Sequence, residues 1–193
     1  MKCLRFWVLV SFVLLSMPSV VRAGAPTDQL SASINEFVSI LSNTPVAELQ
    51  AKGLPDRARQ LVFARFDFSE MTKRSLGPNW KLLDQREQRE FVDAFTQRLL
   101  VSYGKTVRSS GADKIQFTRE VRDGTQASVE SKVVNDDGET PIDYRMHDVD
   151  GQWKVYDVLI DHVSLVNNYR AQFDRVIAKS SVQDLLRRMK GQD

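Results

Sequence analysis

Residues 153–173, WKVYDVLIDHVSLVNNYRAQF, pass from one structural period to another with almost no linker, which constrains the fold more than any other stretch. Trp153, Val155, Tyr156, Val158, Leu159 and Ile160 leave little polar face, as in a strand covered on both sides. After Asp161-His162 the apolar positions become Leu165, Val166, Tyr169, Phe173, Val176 and Ile177, the stripe of an amphipathic helix. Ser164 is placed to cap it. A buried strand thus feeds directly into a helix with one greasy face, and the two apolar surfaces must meet at an angle.

The 193 residues suggest a single domain behind a leader. Lys2 and Arg5 precede an apolar run from Phe6 to Met17 that is too short to span a bilayer comfortably. Pro18 and Ser19 break this run, and Val21 and Ala23 stand at the −3 and −1 positions of an export signal, so cleavage is expected after Ala23. The domain would then be residues 24–193. The leader holds three of the 27 basic residues and no acids, leaving 24 basic against 25 acidic side chains. That balance removes the bulk basicity expected of a nucleic-acid binder. The single cysteine, Cys3, lies before the apolar run, so the exported chain has neither a disulfide nor a thiol, nor a lipid-acceptor cysteine. The expected address is the bacterial periplasm or beyond.

Leu30, Ile34, Phe37, Val38 and Leu41 mark one helix face, and short helices follow near Val46–Lys52 and after Pro55. In residues 66–80, FDFSEMTKRSLGPNW, Ser69 can cap a short helix that ends at Gly77 and Pro78. Asp84 and Glu87 have capping-box spacing and open the longest helix, to about Arg108, with Phe91, Phe95, Leu99 and Tyr103 four residues apart. Beyond Gly111 the period becomes two. Strands around Ile115–Val121, Ala127–Val133, Ile142–Met146 and Trp153–Ile160 are separated by turns at Asp123-Gly124, Asp136-Asp137-Gly138 and Asp150-Gly151. A last helix opens at Ser181 with Asp184 three residues on. The class is α+β: N-terminal helices, a curved four-stranded antiparallel sheet and C-terminal helices closing an apolar cavity.

Catalytic chemistry has little material. His147 is expected to point to solvent at the end of its strand, and His162 to be a strand-to-helix junction residue. Two separated histidines without cysteine do not make a zinc site, and the Asp-rich segments near residues 136 and 148 read as turns. Asp157, mid-strand among apolar neighbours, needs partners. It is either a structural acid tied to an arginine such as Arg145, or the acid of a small enzyme built in a cone-shaped pocket with Tyr144 or His162.

Three segments, residues 66–80, 84–104 (DQREQREFVDAFTQRLLVSYG) and 153–173, together resemble the MlaC family of periplasmic lipid shuttles, also called toluene-tolerance auxiliary proteins. The resemblance covers nearly the whole exported chain; it departs at His162, where the family usually has glycine after an acidic residue. It implies a nuclear-transport-factor-like (NTF2-like) cone extended by helices, holding the acyl chains of a phospholipid in an internal cavity with no cofactor and no hydrolysis. It implies as partners an inner-membrane ABC transporter with a lipid-binding ring subunit and an outer-membrane lipoprotein–porin complex, together maintaining outer-membrane lipid asymmetry. The carrier is expected to be a monomer, and a hopanoid or another lipid is the alternative cargo. Phe95, Leu99 and Tyr103 are the expected lipid-facing residues of the long helix. Tyr144, Tyr156, Val158 and Ile160 are those of the sheet, with Val155 and Leu159 replacing the even-numbered set if the strand has the other parity. Val163, Val166, Tyr169 and Phe173 complete the set, and ordinary core packing is the alternative for each.

Overall fold

The computed structural model describes residues 25–109, 115–135 and 138–191, without the side chains of 46, 50, 52, 103–109 and 135. The expected leader, the Asp136-Asp137 part of a turn and the side chain of Tyr103 lie outside the described residues. Helices α1 (Pro26–Ser42), α2 (Val46–Lys52), α3 (Asp56–Arg65) and α4 (Phe68–Leu76) come first, and a 3-10 turn (Gly77–Leu82) leads to α5 (Gln85–Ser109). Strands β1 (Ile115–Asp123), β2 (Gln126–Asn135), β3 (Gly138–Val149) and β4 (Gln152–Ile160) follow as an antiparallel meander. A fifth strand, β5 (Val163–Ser164), pairs with the end of β4, and α6 (Leu165–Ile177) and α7 (Val182–Met189) close the chain.

The fold is the α+β arrangement expected, with five strands where four were expected. The extra strand arises because Asp161 and His162 form a two-residue hairpin loop with φ of 48° and 64°. Two successive positive φ values give the primed turn whose twist matches antiparallel neighbours. The chain therefore doubles back, pairing Ile160 with Val163 and Leu159 with Ser164, before helix α6 begins.

Two bulges bend the sheet. The register slips by one residue at Thr118 in β1 and at Tyr156 in β4. A bulge bends its strand and shifts side-chain parity beyond it. In β4 it places Trp153 and Val155 on the same face as Val158 and Ile160, although the first pair is odd-numbered and the second even. Both parities are therefore right for part of the strand: Val155 joins the inward set, while Tyr156, as the bulged residue, does not.

Local chemistry explains the helix ends. Asp84 and Glu87 make the reciprocal box, with the Glu87 N–H donating to Asp84 (2.8 Å) and the Asp84 N–H to Glu87 (2.9 Å). The cap of α4 is Asp67 rather than Ser69: its Oδ1 accepts from the Glu70 N–H at 2.9 Å, and the helix starts at Phe68. Gly77 ends α4 with φ of 53°, and a Cβ there would lie 2.8 Å from the Arg170 guanidinium.

The interior divides into two apolar clusters. Leu30 of α1 packs with Ala127, Val129, Tyr144, Met146 and the inward side chains of β4, with Leu165 at the far end. Helices α4 to α7 make the other cluster, where Phe95 lies 4.9 Å from Tyr169 and 5.4 Å from Phe173 in edge-to-face contact. Burying such side chains contributes roughly 1.5–3 kcal/mol each, so each cluster can hold its own layer together.

Candidate functional site

Consecutive residues at the start of α6 part ways: Leu165 packs in the sheet cluster and Val166 in the helical one. Phe66, between α3 and α4, is the other meeting point and touches both clusters. Its backbone pairs with β4 at Val155, and the Asp67 N–H donates to the Val155 carbonyl at 2.8 Å. The seam between the layers thus runs from Phe66 to the first turn of α6.

Asp157 fastens the second end. It is 2% exposed, and its Oδ2 accepts from the Ser164 hydroxyl at 2.7 Å while Oδ1 accepts from the Val166 N–H at 3.1 Å. Arg145 approaches at 3.5 Å, and Ser164 in turn caps α6 by accepting from the Asn167 N–H at 3.0 Å. Unsatisfied N–H groups and the positive end of the helix dipole compensate a carboxylate that could not otherwise be buried. Both carboxylate oxygens are engaged in holding a helix to a strand, which is the structural role. The expected arginine contributes, but the Ser164 hydroxyl and the helix N-terminus are the closer partners.

A second polar tie lies at the other end. His147 is half-buried rather than solvent-facing: its Nε2 is 3.0 Å from Asp67 Oδ2 and its ring lies edge-on to Tyr156 at 5.5 Å. The Arg74 guanidinium covers the opposite partner of this contact, 4.1 Å from the Tyr156 ring centre. His162 is exposed at the hairpin tip, 3.9 Å from Asp143. Among the described residues, no group of three His, Cys, Asp or Glu side chains is placed to hold a metal ion.

The expected lipid-facing residues fall into four places. Phe95, Leu99, Val166, Tyr169 and Phe173 are buried together in the helical cluster. Tyr144, Val158 and Ile160 belong to the sheet cluster, where burial pushes the Tyr144 phenol up to about 12. Tyr156 sits with His147 and Arg74 outside both clusters. Val163 is 58% exposed on β5. The first two groups are the two walls of the seam.

Sequence reasoning missed a groove of about 430 Å³ that opens on this seam. Phe63, Phe66, Phe68, Val92 and Val149 form its apolar walls. Phe66 belongs to both clusters and Phe68 and Val92 to the helical one, so the floor of the groove is the seam itself. Asp93 and Thr96 of α5 and Lys154 of β4 also line it. The aromatic triplet at positions 63, 66 and 68 was the available signal, but it spans a helix end and follows neither period.

Comparison with known proteins agrees with this architecture. A family model described as "MlaC protein" matches residues 31–191. The toluene tolerance protein Ttg2D of Pseudomonas putida is 24% identical over 170 residues, covering 86% of this chain and 77% of that protein. A crystal structure from Ralstonia solanacearum, described as a phospholipid-binding protein in complex with a phospholipid, superposes with a TM-score of 0.79 at 22% identity, covering 88% of this chain and 97% of that one. With a family match spanning nearly all the residues that build the two clusters and the seam between them, the chain belongs to the MlaC family.

Proposed function

We propose that this protein is a periplasmic phospholipid carrier whose acyl chains lie between the sheet cluster and the helical cluster. The observation that carries the reading is the divided interior: two apolar layers, each with its own core, meet along a seam whose edge is an aromatic-walled groove. A two-tailed lipid has on the order of 30 methylenes at about 0.8 kcal/mol each, so exposing them to water costs roughly 25 kcal/mol. A carrier must cover both tails, and an interior seam does so without leaving a large apolar patch when empty. A groove of about 430 Å³ lies toward the small end of ligand pockets, so loading requires the layers to part. The family membership and the phospholipid seen in the Ralstonia relative support the same cargo.

In this reading the protein is exported, its leader is removed after Ala23, and it exchanges lipid with an inner-membrane ABC transporter bearing a lipid-binding ring and with an outer-membrane lipoprotein–porin complex. It carries cargo without transforming it, consistent with Asp157 being spent on α6. The test is transfer of a fluorescent phospholipid between donor and acceptor vesicles separated by a membrane that passes the protein but not vesicles. Purified protein should accelerate transfer in proportion to its concentration; no acceleration, with no phospholipid in an organic extract of the protein, would overturn the reading.

A further inference from the structure

The groove at the seam has two charges on its rim that no other side chain satisfies. Lys154, from β4, and Asp93, from α5, both line it, and neither side chain has a hydrogen bond or ion pair to another described residue. Other charges do have partners: Glu90 of α5 with Lys190, Arg119 of β1 with Glu130 of β2, and Lys132 of β2 with Glu139 of β3. Asp67, also on the groove, is already engaged by His147 and the Glu70 N–H. Thr96 lines the same groove; it is 4% exposed, and its hydroxyl has no hydrogen-bond partner among the described residues. One wall of the groove thus offers a free carboxylate and a free hydroxyl, the other a free ammonium, above an aromatic floor.

We propose that this groove is the headgroup site and that it is built for a zwitterionic phosphodiester bearing an amine, of the phosphoethanolamine type. Lys154 meets the phosphate, Asp93 meets the ammonium, and the Thr96 hydroxyl donates to a phosphate or ester oxygen. The tails pass Phe66 into the seam. A phosphoglycerol headgroup satisfies Lys154 equally but offers Asp93 no cation, and its net negative charge faces that carboxylate. The selectivity therefore comes from repulsion as much as from attraction. This assignment rests on the carrier reading and adds the headgroup class to it.

The test loads the mature protein from vesicles of equal parts phosphatidylethanolamine and phosphatidylglycerol, re-isolates it and quantifies the extracted lipids by mass spectrometry. A partly exposed charge pair gives about fivefold, so the ethanolamine lipid should be enriched by about that factor. Asp93→Asn, at an exposed position, should keep the melting temperature and total loading while bringing the ratio close to one. Lys154→Gln should reduce loading of both lipids by about fivefold. Normal loading with equal amounts of the two lipids, or an enrichment that Asp93→Asn leaves unmoved, overturns the headgroup site while the carrier reading stands. A wild-type protein that takes up neither lipid overturns both.

Discussion

A buried carboxylate has to be matched group by group, and Asp157 is matched by a hydroxyl, a backbone N–H and a more distant guanidinium. Asp157→Ala strands the Ser164 hydroxyl and the Val166 N–H in an apolar seam and should cost about 3 kcal/mol in urea unfolding, whereas Asp157→Asn, which keeps the shape, should cost about half that. A catalytic acid would show the opposite ordering of concern, with function lost in Asn at unchanged stability. His162 illustrates strain at a single position. Its φ of 64° lies where glycine is at ease, so His162→Gly should raise the unfolding free energy by about 0.5–1 kcal/mol despite the freer unfolded chain. Tyr144 gives a pH signature. Its phenol ionises near 10 when unfolded and is raised to about 12 by burial in the fold. The folded state therefore holds its proton longer, so this stability is fully present below pH 10 and is lost as pH rises towards 12, by about 2–3 kcal/mol. Tyr144→Phe should flatten that part of a stability-versus-pH curve.

Helix α6 joins the layers, and its two faces are unequal. Phe173 is 4% exposed and packs its ring against Phe91, Phe95 and Tyr169, so Phe173→Ala should cost about 3–5 kcal/mol in denaturant unfolding. Val163, just before the helix and 58% exposed, should change stability by less than about 0.5 kcal/mol when replaced by Ala. At this scale the chain was largely legible in advance. The four-residue spacing of Phe91, Phe95 and Leu99, the Asp84–Glu87 box and the Ser164 cap are local devices, and local devices act on neighbours in sequence. What escaped is non-local. The bulge at Tyr156 depends on how β3 pairs with β4, and it reassigned the faces of a strand whose composition offered no alternation to read. The pairing of Phe66 with Val155 and of His147 with Asp67 joins residues about 80 or more apart, which no window along the chain can contain. The fifth strand was hidden because Asp-His does not carry the usual glycine signal for a primed turn.

For the whole molecule, the question is why a folded protein keeps two cores where one would be simpler. A single continuous core resists separation everywhere, while two clusters sharing Phe66 and divided between Leu165 and Val166 concentrate any opening along one line. The ties at its ends are polar, Asp157 to α6 and His147 to Asp67, so they can re-form without repacking side chains. Such a molecule can admit a lipid by separating layers that each stay folded. The most direct measurement uses a phospholipid with a photoactivatable diazirine at mid-tail, loaded into the purified protein, irradiated and mapped by peptide mass spectrometry. Adducts on Phe95, Tyr169 or Phe173 together with Tyr144, Val158 or Ile160 are the predicted result. Adducts confined to exposed apolar side chains such as Leu82 and Val101, with neither wall labelled, would contradict it.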